Sequence, residues 1–326
     1  MGKSFVPVIY GVPAERPDEA DAASEAAVIA TALASLGHAT ETVAVDLDFR
    51  VLEQLAHRRP LVVFNLVESL RGDGRLAHIA SAFLDHLGLP YTGAPAGAYF
   101  LANSKLFTKE LLRAHGLPTP RWWANGEDVP AARRVIVKSV DEHASLGIDV
   151  GSVVAGARAH AEVASRERRF GFRFFAEEFI DGREFNLALI EEHGGPRVLP
   201  IPEMTFDGLP ADRPRIVDYD AKWASGTAVY ELTRRRFGCE DEEPDLARRL
   251  TRLAFACWRG FGLSGYARID FRVGADGQPT IIDVNANPCL APDAGFAMTA
   301  AEAGLTYPEM IATIVRMAVS RPRQTA

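Results

Sequence analysis

Cysteine is scarce in this chain. Cys239, Cys257 and Cys289 are its three, widely spaced and without a C-x-x-C pair. That excludes a disulfide framework and a thiolate zinc site, and it fits a reducing, cytoplasmic setting. Long apolar runs are missing too. No stretch approaches the roughly 18 apolar residues of a membrane-spanning helix. Residues 4–11 are apolar but too short for a signal peptide, and they lack its basic lead. Positive charge is not in surplus: 36 Lys and Arg stand against 43 Asp and Glu, a net charge of −7. This argues against a nucleic-acid or anionic-membrane partner, while leaving room for a local basic cleft. There is no G-x-G-x-x-G, so a nicotinamide dehydrogenase would lack its phosphate fingerprint. No internal repeat or low-complexity segment stands out.

What is present reads as an ordinary soluble enzyme of two or three domains: 326 residues, 48% hydrophobic and 24% charged. Residues 5–10, 40–45 and 61–64 are short apolar runs, expected as strands. Residues 18–36 and 74–87 lie between and after them as helices, stopped by Gly37 and Gly88, and 89–93 are a last short strand and turn. This alternation predicts an open parallel sheet with helices on both faces. Residues 103–115 are expected as a helix capped by Asn103 or Ser104, with Lys105 in its first turn. A cation there is disfavoured by the helix dipole, so it is either solvated or held for a phosphate. The strand 134–138 ends in Lys138, and a polar loop, 139–147, follows it; small residues let backbone N–H groups approach phosphates. Residues 174–180 and 184–190 read as strands, 193–196 as a turn, and 245–261 and 307–318 as helices. Leu246, Leu250, Leu253 and Cys257 share one face of the first of these helices.

The chemistry concentrates in residues 265–288, two alternating runs around the turn signal Ala275, Asp276, Gly277. A turn centred between Asp276 and Gly277 sets Asp270 opposite Asp283 and Arg268 opposite Asn285. Two carboxylates facing each other repel unless a cation sits between them. Two Asp and one Asn are an all-oxygen set that suits Mg²⁺, which also takes waters and substrate phosphates. The plainer reading is a hairpin with a wet, charged face.

Arg-Ile-Asp (268–270) and the later Asp-Val-Asn-Ala-Asn-Pro (283–288), with the stretches above in this order, resemble the D-alanine–D-alanine ligase group of ATP-grasp enzymes. The resemblance covers nearly the whole chain. It implies an α/β protein, α+β in its C-terminal part. A doubly wound pre-ATP-grasp domain would occupy 1–102, a central ATP-grasp subdomain with its lid loop 103–180, and a C-terminal subdomain with the metal site 181–326. It implies ATP and Mg²⁺, two ions, with Mn²⁺ as a substitute, and a homodimer is a family expectation. By the same resemblance Lys105, Lys138 and Lys222 contact phosphates, and loop 142–147, including Ser145, is the lid. The backbone of Glu177, Glu178, Phe179 and Ile180 reads adenine, and Glu184 holds the ribose. Arg268 stabilises the tetrahedral intermediate, with Lys222 beside it in the catalytic set. Asp270, Asp283 and Asn285 are the metal ligands.

The substrate half departs from the family. Ala144 replaces the first lid serine and Trp223 the tyrosine it meets. Ala294-Gly295 replaces a Ser-Leu pair that holds the second substrate's carboxylate. Residues 65–68, ending in Glu68, replace a His-Gly stretch, and Asp283 shortens a glutamate. The expectation is therefore an ATP-dependent carboxylate–amine ligase acting on an amino acid or small peptide other than D-alanine. Glu68 and Asp293 are candidate acids for an amine, and Trp223 contributes bulk. The alternatives are a genuine D-alanine–D-alanine ligase and an idle ATP-binding regulatory protein.

Overall fold

In a computed structural model the chain is described over residues 3–12, 17–141, 145–192, 195–210, 212–224 and 226–321, with backbone alone for 17–21 and 223. Among the described residues the strands form three sheets. The first is parallel: β1 (Val8–Gly11) runs between β2 (Thr42–Val45) and β3 (Phe64–Asn65). Residues 89–93 contribute a single bridge, Val63 to Tyr91, instead of the expected strand. Val6, Val8 and Phe64 face Ala26, Ile29 and Leu33 of helix Pro17–Ser35. Ile9, Val45 and Val63 face Leu52, Leu55 and Leu84 on the other side. A parallel sheet covered on both faces needs apolar residues at consecutive positions, which is why these strands read as unbroken runs. Helices Arg50–His57 and Ala96–Asn103, each eight residues long, are not among the expected elements. The helix expected over 74–87 opens as a short 3₁₀ turn, Gly74–Leu76, before Ala77–His86.

The second sheet is antiparallel, in the order β4 (Trp122–Trp123), β7 (Phe174–Glu178), β5 (Arg134–Ser139), β6 (Val153–Ala155). Helix Ala159–Phe170 covers one face through Ala159 and Val163. The third sheet holds β8 (Gly182–Glu192), β9 (Gly195–Val198), β10 (Glu203–Thr205), β11 (Arg234–Arg236), β12 (Tyr266–Gly274) and β13 (Pro279–Asn285). Its path runs β11-β10-β8-β12-β13, and β9 also pairs with β8. The turn expected at 193–196 falls partly outside the described residues, at 193–194.

Alternation on this sheet decides where the chemistry can lie. Phe185, Leu187, Ile269, Phe271 and Ile281 pack against Leu246, Leu250, Cys257 and Phe261 of helix Pro244–Phe261. Period-two geometry then turns Glu184, Asn186, Arg268, Asp270 and Arg272 to the opposite face. The register agrees: Glu184 pairs with Arg272, Asn186 with Asp270 and Ala188 with Arg268. Helix Tyr307–Ser320, at the end of the described chain, packs on helix Pro17–Ser35, joining the third sheet to the first through one apolar cluster.

Candidate active site

The hairpin of β12 and β13 carries the expected pairs. Arg268 stands opposite Asn285 and Asp270 opposite Asp283. The turn is one residue tighter than expected, closing at Val273 and Pro279, and a bulge between Asp270 and Phe271 restores the register. Arg268 grips Asp270 with two bonds, Nε to Oδ1 at 2.8 Å and Nη2 to Oδ2 at 2.9 Å. Burial works against the Arg268 charge, yet Asp270, Asp283 and Glu184 together hold its pKa above the usual arginine value. Asn285 Oδ1 accepts from the Asn287 N–H, which orients the amide. Glu184 is buried and pairs with Arg272 at 2.8 Å.

Among the described residues no group of three or more His, Cys, Asp or Glu side chains converges as a metal cluster. The hairpin offers two carboxylates and one amide. That set fits Mg²⁺, which is usually bound through one or two carboxylates plus phosphates and waters.

Facing this sheet, Glu177 of β7 lies between two lysines. Lys138 donates to it at 2.8 Å, and Lys109 pairs with its other oxygen. Lys109 and Glu177 side chains are 1% and 2% exposed. Burial favours the neutral acid at Glu177, but Lys109 and Lys138 outweigh it and keep the carboxyl below its ordinary range. Burial pushes the Lys109 ammonium down. Lys109 also donates to Thr119 Oγ1 at 2.9 Å, and Thr119 donates to the Ile281 carbonyl of β13 at 2.9 Å. The chain Lys138, Glu177, Lys109, Thr119, Ile281 therefore ties the second sheet to the strand that carries Asp283.

Lys109 was not singled out in the sequence. Its signal was the spacing Lys105, Thr108, Lys109, Leu112, the buried stripe of helix Lys105–Ala114, while Phe107 is half exposed. Lys105 is buried at the first position of that helix. Neither expected cap is made: Ser104 gives no side-chain cap, and the Asn103 amide donates to the Gly74 carbonyl.

The Glu178 and Phe179 N–H groups are spent on the Arg121 and Arg134 carbonyls, at 2.8 and 3.0 Å. Backbone reading on this stretch would fall to its carbonyls and to Ile180. The Glu178 side chain points away and pairs with Arg133. Phe179 instead joins Ile136 and Ile216 in a small apolar cluster, with Arg134 over its ring.

Of the loop 142–147, residues 142–144, including Ala144, lie outside the described residues. Ser145 is described, with a left-handed φ of 63°, and its hydroxyl donates to the Val217 carbonyl at 2.9 Å. The Tyr219 N–H donates to the Ile148 carbonyl at 3.0 Å. Both bonds fasten the loop to helix Tyr219–Trp223, whose N-cap Asp218 accepts from the Ala221 N–H. Residues 218–223 thus form a capped helix, its cap held by Arg213. Lys222 is exposed to the cleft; the protein around it and the Arg268 charge lower its pKa, while Glu68 and Asp270 oppose them. Trp223 ends the helix, and its side chain lies outside the described residues.

Charges from distant parts of the chain reach Lys222, Glu68 and Asp270 among them. Glu68 is exposed, and its charge reaches Lys222, Tyr99 and Tyr266. Asn65 is buried and structural, bonding to Ser81 and the Val67 N–H. Asp293 is exposed and does not cap helix Gly295–Glu302; the N-cap is Ala294, without a side-chain bond. Next to it lies Arg235 of β11, which the sequence had hidden in a basic run.

A family model described as the D-ala D-ala ligase C-terminus matches residues 129–316, more than half the chain. The D-alanine–D-alanine ligase of Moorella thermoacetica is 29% identical over 308 residues, covering 89% of this chain and 92% of that protein. The corresponding ligase of Gluconobacter oxydans is 31% identical over 326 residues, covering 96% and 98%. In three dimensions the chain is similar to the D-alanine–D-alanine ligase of Bacillus anthracis complexed with ATP. The TM-score is 0.75 at 16% identity, with 98% of each chain covered.

Proposed function

This chain belongs to the D-alanine–D-alanine ligase family of ATP-grasp enzymes, C–N bond-forming ligases, and from that premise we propose which substrates it joins and which residues act. The reaction we assign links the carboxylate of one amino acid or small peptide to the amine of another, at the expense of ATP. A carboxylate oxygen attacks the γ-phosphorus and ADP leaves. The amine nitrogen attacks the acyl carbon, phosphate leaves, and the ammonium proton is lost. We read 1–102, 103–180 and 181–326 as the three working parts.

The observation that carries this reading is the shared face of β8, β12 and β13. One arginine, two aspartates and an asparagine converge there in register. Asp270, Asp283 and Asn285 would hold Mg²⁺, whose charge offsets that of the nucleotide phosphates when bound. The chain's own groups do the rest. Lys138, and with it Lys105 and Lys222, would meet phosphate oxygens. Arg268 would face the oxyanion of the tetrahedral intermediate, a placement that acts on charge developed in the transition state. Glu184 would accept from the ribose, and the apolar cluster of Ile136, Phe179 and Ile216 would flank adenine.

For the substrate, we place D-alanyl-D-alanine second. Ala294 offers no hydroxyl, residues 65–68 stand in place of a His-Gly stretch, and positioning groups of this kind decide discrimination. The names borne by relatives at 29–31% identity favour the dipeptide instead. Supplying ATP and Mg²⁺ with D-alanine, or with pairs of L-, D- and β-amino acids, decides between them. ADP release and product mass are expected to be greatest for a pair other than D-alanine with itself. Highest catalytic efficiency with D-alanine alone, and the dipeptide as product, would establish the second reading.

A further inference from the structure

Three arginines stand in a row on β11, and alternation separates them. Arg236 faces Glu203 and Glu242, pairing with them at 2.9 and 2.7 Å. Arg235 turns the other way. Its register partner is Met204, whose partner is Glu184, whose partner is Arg272. Residues directly opposite one another in an antiparallel ladder share a face. Arg235 therefore lies on the same sheet face as Glu184, Asp270 and Arg268, one edge strand further out.

Its guanidinium crosses the start of helix Gly295–Glu302. A Cβ built on Gly295 would lie 3.1 Å from Arg235 Nη2, 3.2 Å from Nε and 3.4 Å from Cζ. The space over Gly295 is thus the space the guanidinium occupies. Nη1 donates to the Met298 sulfur at 3.3 Å, a weak acceptor, and among the described residues Arg235 makes no ion pair. Burial and the Arg268 charge lower its pKa, partly opposed by Tyr230, Asp270 and Asp293. Arg268 is thus near enough for its charge to act on both Arg235 and Lys222. A guanidinium held against a soft sulfur and a backbone, beside other cations, is set to receive a planar anion through its fork.

We infer that Arg235, lying over Gly295, binds the carboxylate of the amine-donating substrate, so that the acceptor of this ligase is an amino acid or peptide with a free carboxylate. This rests on the ligase reading above and adds its acceptor specificity. Ala294 and Gly295 are then not a lost binding site. The side-chain hydroxyl is gone, and the missing side chain at 295 admits a stronger donor from another strand.

The experiment measures ADP release with the best acyl donor and paired acceptors: D-alanine, L-alanine and β-alanine, each against its amide. The wild-type protein is expected to prefer the free acids. Arg235→Ala should raise the KM for the acids by about 10- to 100-fold, the usual range for a lost charge-assisted bond. The KM for ATP and the constants for the amides should stay near wild type, and Arg235→Lys should recover part of the loss. Gly295→Ala, which crowds the guanidinium without removing it, should move the acid KM in the same direction by less. Equal use of acids and amides by the wild type would overturn the assignment and leave the ligase reading intact. So would an Arg235→Ala variant whose KM for ATP rises as much as that for the acceptor. Should no acceptor support ADP release, the ligase reading on these substrates fails. Calorimetry of the same amino acids then decides Arg235 separately: saturable binding lost in Arg235→Ala upholds it, and absence of binding overturns it.

Discussion

Asp270→Asn is expected to lower turnover by roughly 100- to 1000-fold, the scale seen when a preorganised charge is removed from a transition state. The substitution keeps the shape of the side chain and removes one charge. Two functions go with it. The oxygen set of Asp270, Asp283 and Asn285 drops to one carboxylate, too little negative charge for a cation that must hold phosphates. Arg268 also loses the partner that fixes its guanidinium at 2.8 and 2.9 Å, and an amide N–H would then face one of its own donors. The fold should survive, because the strand ladder on both sides of Asp270 is made by backbone. ADP release measured across a Mg²⁺ titration checks this, with circular dichroism as the fold control. Full turnover at low Mg²⁺ would remove Asp270 from the site.

Glu177→Gln is expected to be the most destabilising of the conservative substitutions in the cleft. Its side chain is 2% exposed and holds two ammonium groups, Lys109 and Lys138. Breaking a buried pair from one side typically costs about 3–5 kcal/mol, because the remaining charge is left without compensation. Here two charges of the same sign would remain. The pH dependence has a definite sign. Lys109 already has a folded pKa below that of the unfolded chain, so the unfolded state binds more protons in the window between the two. The penalty on the charged lysine is therefore full below the lowered value and is relieved as pH rises from it toward the ordinary lysine value of about 10.4. Urea midpoints at neutral and alkaline pH should converge for the variant and wild type. Equal midpoints at pH 7 would mean that the triad holds nothing.

These two sites were not equally legible. The Asp270 hairpin was, because alternation and an Asp-Gly turn fix which residues meet, and the carboxylates announced themselves. The tighter turn and its compensating bulge were invisible, since backbone irregularity leaves no trace in residue type. The parallel sheet was legible in its unbroken apolar runs. Glu177 was noticed for its backbone while its side chain went unremarked, and Lys109 not at all. A lysine in a helix of mixed charge reads as solvated unless the positions 105, 108, 109 and 112 are recognised as an inward stripe. Arg235 sat in a run of three arginines, and only the pairing of β11 with β10 separates the one facing the cleft from those beside it.

Two hydrogen bonds, from the Ser145 hydroxyl to the Val217 carbonyl and from the Tyr219 N–H to the Ile148 carbonyl, couple the end of the 142–147 loop to the start of the Lys222 helix. A loop and a helix coupled in this way are expected to move together. If the loop acts as the lid that the family resemblance implies, nucleotide and second substrate would exchange only while it is open, and the same closure would keep water from the activated carboxyl group. In kinetic terms such a protein would gather its reactants before any chemistry begins. Initial-rate lines for ATP against the acceptor are then expected to intersect, and parallel lines would mean that the loop and the helix part company during turnover.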